Sequence, residues 1–397
     1  MCRLCFLLLL LGSSGRPQTG SGANSAARIP PSLPGGGLPG APGLFELTAP
    51  AQRGAPLTLR GDRGLAASST RIFIANQEAK IIARRTIAAG REEVSVQLPA
   101  GFAPSCAIPV TAVGAGGLPG NTILAQLTDR GAACPSTPWD QFLGRQGPTG
   151  LVLLARSVQA GAIADDAVAL FLNRRQPTAT LLPAPGTCVL YRTSDAFDLQ
   201  SALVPQLVGR LPDPASEPAL DAGARLLLTR GSQARALNPR SAGFYTRRAG
   251  GAGEPPFLDP GSWMLSAPGG RGLPAFSLSL QAPDPFQAQL PEPGDAVSRA
   301  DGLSLSWTPA GMPPLVVALL FAPDRQNRAM AGCLCTALSA TGRLRMPPWL
   351  LRALPPGPAA GLALTALPER PAPFLPQSLQ NSAALSVYVR ATSIELR

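Results

Sequence analysis

From Gly43 onward, apolar and polar residues alternate in short runs, and Gly, Pro, Asn and Asp punctuate the chain between them. Segments 56–61, 70–74, 93–98, 107–112 and 122–127 are rich in Val, Ile, Leu and Thr, and several carry the two-residue period of a half-buried strand. Turn residues separate them at intervals of roughly 8–15 positions, the rhythm of a β-sandwich. Residues 131–149 are polar with Pro and Gly and read as a linker.

A second run of strands begins at 151–155 and continues through 167–172, 188–191, 224–229 and 261–266 to 276–280. Within it, 198–210 reads as a short helix or an irregular crossover. A third run follows Pro285. Residues 303–307 place Leu303, Leu305 and Trp307 on one face, and 315–321 are apolar throughout, as in a strand buried on both sides. Segments 361–367 and 384–390 add further strands, and 347–355 is a turn of helix held between prolines. Heptads and long amphipathic helices are lacking. The pattern predicts an all-β chain of tandem immunoglobulin-like β-sandwich domains, at 43–130, 150–283 and 284–397, with 131–149 as the linker.

Composition sharpens this picture chiefly by exclusion. Pro 45 and Gly 42 are spread between the apolar runs rather than gathered in one block, which suits many strands joined by tight turns. With His 0, Ser-His-Asp and Cys-His catalysis, HExxH sites and histidine-ligated zinc are all excluded. Lys80 is the only lysine, and no Gly-rich loop precedes it, so a P-loop or a lysine Schiff base has no support. Paired carboxylates remain as the one common enzymatic route. The net charge of +11 is carried almost wholly by arginine. With 5% aromatic residues there are few stacking platforms, and nucleic acid is not an expected partner.

The first 15 residues combine one positive charge, a short leucine run and small residues, the layout of a secretory signal peptide. Residues 16–42 are Pro- and Gly-rich and read as a flexible leader. No later stretch is long and apolar enough to span a bilayer, so the expected location is secreted or in the cell envelope. Removing residues 1–15 takes Cys2 and Cys5 with them and leaves Cys106, Cys134, Cys188, Cys333 and Cys335 in an oxidising compartment. Cys106 and Cys134 lie in one expected domain and are the favoured pair, a bridge worth about 3–4 kcal/mol by loop-closure entropy. Cys188 has Cys335 or Cys333 as partner, and one thiol is left over.

The opening residues Gly43-Leu-Phe-Glu-Leu47 and Gly54-Ala-Pro-Leu-Thr-Leu-Arg-Gly61 resemble the first strands of the IPT/TIG family of immunoglobulin-like domains. Val94-Ser-Val-Gln-Leu-Pro-Ala-Gly101 and Cys106-Ala-Ile-Pro-Val-Thr-Ala112 resemble its closing strands, so the likeness covers about 90 residues. The order of features along the whole chain also resembles a group of uncharacterised exported proteins from acidobacteria. It includes the run at 258–270 (LDPGSWMLSAPGG) and the run at 346–356 (MPPWLLRALPP). The resemblance implies location and fold and assigns no chemistry. Cys333 beside Cys335 departs from it.

Site candidates are few. Three arginine pairs, Arg84-Arg85, Arg174-Arg175 and Arg247-Arg248, are the candidate ligand surface for an acidic polymer. Arg60-Gly-Asp62, an adhesion tripeptide elsewhere, falls where a strand should turn. Asp213, Glu217 and Asp221 lack the spacing of a calcium loop. The adjacent pairs Asp165-Asp166 and Glu92-Glu93 point to opposite faces if they lie on strands. Trp263 and Trp307 read as core, whereas Trp139, in the linker, is the tryptophan expected at the surface. No catalytic residue, metal site or cofactor is assigned. The expected function is a secreted, non-catalytic binding or structural module whose partner is an extracellular polysaccharide, preferably acidic, or another envelope protein. The alternative is a carbohydrate-active enzyme, or its accessory binding protein, using paired carboxylates.

Overall fold

The strands of the first run form a two-layer sandwich in the computed structural model of the protein. It describes residues 41–47, 51–52, 55–99, 101–129, 134, 137–174, 182–193, 218–250, 254–324, 329–370, 372–374 and 378–397. The signal-peptide reading, the Cys134-flanking linker residues and the helix-or-crossover reading of 198–210 fall outside them.

In chain order the sandwich comprises β1 (Gly43–Leu47), β2 (Ala51–Gln52), β3 (Pro56–Asp62), β4 (Arg71–Ile74), β5 (Gln77–Ala88), β6 (Arg91–Gln97), β7 (Ser105–Val113) and β8 (Pro119–Thr128). One layer is β1-β3-β6 and the other is β4-β7-β8-β2, with β5 pairing to both β6 and β4. β1 joins the first layer and β2 runs parallel to β8 in the second, so the leading strand divides between layers in an immunoglobulin-like manner. Leu57, Leu59, Val94 and Val96 meet Ile72, Ile74, Val110 and Ala112 in the core, each at most 2% exposed. The pattern of β5 misses detection because this strand passes between layers and buries little of either face.

The rest of the chain folds as α1 (Pro138–Gly144), β9 (Gly147–Gln159), β10 (Ala162–Arg174), β11 (Cys188–Thr193), β12 (Leu226–Arg230), β13 (Gln233–Ser241), β14 (Phe244–Gly250), β15 (Ser262–Ala267) and β16 (Phe276–Gln281). Then come β17 (Ala288–Gln289), β18 (Ala296–Val297), β19 (Leu303–Trp307), β20 (Leu315–Asp324), β21 (Ala329–Leu338), β22 (Arg343–Met346), α2 (Pro348–Arg352), β23 (Gly357–Leu367) and β24 (Asn381–Leu396). A long sheet runs β11-β21-β20-β23-β24-β9-β10-β14-β13-β12-β15-β16. β24 lies parallel to β9 from Asn381↔Thr149 to Ala391↔Gln159, so the sheet is continuous across residues 283 and 284.

Two smaller layers cover one face of this sheet. At one end β13 pairs with β14 through its second half and β12 through its first, which brings β12, β15 and β16 over β9 and β10. Trp263, Leu265 and Leu228 there pack against Leu154, Ala169 and Phe171. At the other end β17-β19-β22 and α2 cover β20, β21 and β23, with Trp307, Leu305, Met346 and Leu350 in the core. The opposite face carries a third core, which includes Leu153, Leu170, Leu319 and Leu385.

Trp139 belongs to that third core and is 2% exposed, which corrects the expectation of a surface tryptophan. Its segment is no open linker. Pro138 starts α1, the indole N–H donates to the Pro368 carbonyl at 2.9 Å, and Phe142 packs edge-on at 6.5 Å. Trp263 and Trp307 are core residues, as the alternation implied.

The first sandwich is docked on the second body. Phe73 of β4 stacks on Trp349 of α2 at 5.0 Å, and the Arg71 guanidinium lies over the Phe73 ring, 5.0 Å from its centroid. At the β4–β5 turn, Asn76 donates to the Gly186 carbonyl and accepts from the Cys188 N–H, both at 3.3 Å. Ala184 N–H donates to the Ala107 carbonyl at 3.0 Å.

Candidate binding cleft

Among the described residues there are two disulfides, Cys106–Cys134 and Cys188–Cys335, the latter joining directly opposed residues of β11 and β21. Cys188 thus takes Cys335 of its two candidates. Cys333 is free and fully buried, with its Sγ 4.0 Å from Met346 Sδ, and burial pushes its thiol up to about 12.

The arginine pairs singled out from sequence do not converge. Arg84 donates to the Ala67 and Thr70 carbonyls, and Arg85 pairs with Glu93, which also accepts from Arg60 at 3.1 Å. The hydrogen bond from Arg60 holds the Glu93 carboxyl below its ordinary range. Arg247 pairs with Glu254, and Arg248 lies 3.6 Å from Asp166. Arg174 is buried at the far end of β10, eight residues from Asp166 and so roughly 26 Å along the strand. Arg175 is outside the described residues.

The other motifs are structural. Arg60-Gly61-Asp62 is the end of β3, where a Cβ on Gly61 would sit 1.9 Å from the Gly43 carbonyl oxygen. Asp221 accepts from Gly223 N–H and Tyr245 O–H at 2.8 and 3.0 Å, and these bonds hold its carboxyl below the usual range. Asp213 and Glu217 are outside the described residues, and among the described residues no metal-ligating cluster occurs. Asp165 and Asp166 do face opposite ways: Asp165 pairs with Arg156 and Asp166 with Arg248.

Polar and aromatic groups gather instead where the two covering layers part. Along β24, Ala384 lies under the first layer, while Ile394 and Leu396 lie under the second. Between them Ser386, Tyr388 and Arg390 share that face and are half-buried. The Ser386 hydroxyl donates to the Gln281 carbonyl, and Phe286 packs edge-on against Tyr388 at 5.6 Å. The segment leading from β16 to β17 therefore forms a wall over the floor strand.

β9 supplies the rest of the floor. Its register sets Arg156 beside Tyr388 and Val158 beside Arg390. Arg156 grips the fully buried Asp165 with two bonds of 2.8 Å, and Asp165 also accepts from the N–H groups of Phe257 and Leu258 at 2.6 Å. The hydrogen bond to Asp165 raises the Arg156 pKa, and burial works against it. Asp259 follows on the opposing wall, held by Gln233 at 3.3 Å and Arg230 at 3.5 Å. Arg230 in turn lies 5.9 Å from the Trp263 ring. Sequence reading missed Arg156, Phe286, Tyr388 and Arg390 as a group. The available signal was the alternation Ser386-Val-Tyr388-Val-Arg390, whose second face carries large polar side chains instead of small ones.

No protein-family profile matches the chain, and no curated protein matches it. Among solved structures, a mixed-linkage glucan utilisation locus protein of Bacteroides ovatus, SGBP-B, in complex with a mixed-linkage heptasaccharide, is 11% identical. The match covers 70% of this chain and 55% of that one, with a TM-score of 0.19. A titin I-band fragment, I67–I69, is 11% identical over 90% of this chain and 99% of its own, with a TM-score of 0.15. The four N-terminal immunoglobulin domains of a Dscam1 isoform are 10% identical over 90% and 73%, also at 0.15. The fold assignment rests on the sheets described above.

Proposed function

We propose that this protein is a non-catalytic binding module of the extracellular space or cell envelope, that it takes an acidic polysaccharide, and that its first sandwich is of the IPT/TIG kind. The signal-peptide-like layout of residues 1–15 and the two disulfides support the location, since such bridges persist in oxidising compartments. The observation that carries the binding reading is the half-buried strip of β24 left between the two covering layers. An aromatic pair and two arginines line a strand floor there, in a chain of net charge +11. Aromatic faces suit the apolar side of sugar rings, and guanidinium groups suit carboxylates. The enzymatic alternative needs two facing carboxylates, whereas Asp165, the buried carboxylate beside this cleft, has its oxygens occupied by four donors.

A glycan array probed with the purified chain at low and physiological salt tests the reading. Binding concentrated on uronic-acid or sulfated glycans, and weakened by salt, is the expected result. Absence of acidic-glycan binding at both salts overturns it.

A further inference from the structure

Arg390 stands apart from the other arginines near the cleft. Arg156 is committed to Asp165 and Arg230 to Asp259, but the Arg390 side chain has no hydrogen bond or ion pair among the described residues. It is nevertheless half-buried on a sheet, with Leu364 and Val158 as its cross-strand neighbours. A guanidinium in that position has no counter-charge of its own, and a ligand carboxylate would supply one. Its same-strand neighbour two residues back is Tyr388, which is braced by Phe286. The spacing of residues i and i+2 on one face is roughly 6.8 Å, which suits one pyranose ring resting on the tyrosine with its carboxylate reaching the guanidinium.

Resting on the polysaccharide reading above, we infer that the cleft floored by Tyr388 and Arg390 is the subsite for a uronic-acid residue of the glycan. The carboxylate is taken by the fork of Arg390, and the ring lies against Tyr388 and Phe286. The Arg156–Asp165 pair next to them is a fixed support that keeps the floor strands in register.

Isothermal titration with oligogalacturonate and with a neutral galactan oligomer of the same length tests this on five proteins: the wild type, Arg390→Gln, Arg390→Lys, Tyr388→Ala and a control matched in charge to Arg390→Gln. The control is Arg343→Gln, which removes one exposed charge from the outer face of β22. Loss of one charge-assisted contact should weaken oligogalacturonate binding about tenfold or more in Arg390→Gln. Tyr388→Ala should weaken it by a similar factor, and the control by less than about threefold. Arg390→Lys keeps the charge and loses the fork, so it should fall between wild type and Arg390→Gln. Unfolding midpoints equal to wild type establish that the variants are folded. Binding by Arg390→Gln, Arg390→Lys and Tyr388→Ala that matches wild type overturns the subsite while leaving the polysaccharide reading intact. Failure of the wild type to bind any acidic oligomer overturns both.

Discussion

Single residues in this protein show how charge is managed inside a β-structure. Asp165 is completely buried, yet all of its acceptor demand is met by Arg156 and two backbone N–H groups. Removing it leaves the Arg156 guanidinium and two N–H groups without partners, so Asp165→Ala should destabilise by about 3–5 kcal/mol in urea unfolding. Asp166, one residue on, faces the other side, and Asp166→Ala should cost much less. Cys333 poses the opposite case, a neutral thiol kept neutral by burial. Its folded pKa of about 12 lies above the unfolded value, so its contribution to stability is complete below pH ~9 and is lost as pH rises toward 12. Cys333→Ala should flatten the stability profile over that window. At pH 8 iodoacetamide should leave Cys333 unmodified in the folded protein and alkylate it once urea is added, as read by peptide mass mapping.

At the scale of elements, the β4–β5 turn links local strain to assembly. Ala75 and Asn76 both have positive φ, at 48° and 69°. Asn tolerates that region well and Ala poorly, so the turn is held by what surrounds it. The Asn76 side chain supplies two bonds to the main chain of residues 186 and 188, and the turn sits beside the Phe73–Trp349 stack. Asn76→Gly keeps the backbone and loses the bonds, whereas Asn76→Ala loses both. Limited proteolysis should therefore release the first sandwich faster in Asn76→Gly than in wild type, and fastest in Asn76→Ala. Equal rates in all three would mean that the stack alone holds the interface. Strands such as β3, β19 and β20 were legible because one or both faces are buried and the period survives in the sequence. β5, β13 and β14 were not, because they join layers or carry Pro and Arg, and tertiary position rather than local pattern decides their state.

On the scale of the whole molecule, sequence order and spatial order diverge. The three runs of strands suggest three beads, and for the first run the chain does fold locally. After α1, however, β9 and β10 pair with each other and then with β24 and β14, so the second and third runs share one sheet. No residue pattern announces a parallel pairing between distant strands, since both partners read as ordinary apolar runs. The cleft was illegible for the same reason: Arg156 and Tyr388 become neighbours only through that pairing. Calorimetry of the intact chain should therefore show residues 147–397 melting in one transition. Two separate transitions for 150–283 and 284–397 would contradict the shared sheet.

The β9–β24 pairing also bears on when the protein becomes itself. Partners more than two hundred residues apart cannot meet until β24 has been synthesised, and β9 meanwhile has only β10 on one of its two sides. Non-local closure of this kind is slow, and it leaves a growing chain open and unsequestered for most of its synthesis. β24 then acts as the closing stitch, and the sheet is completed only after that strand has been made.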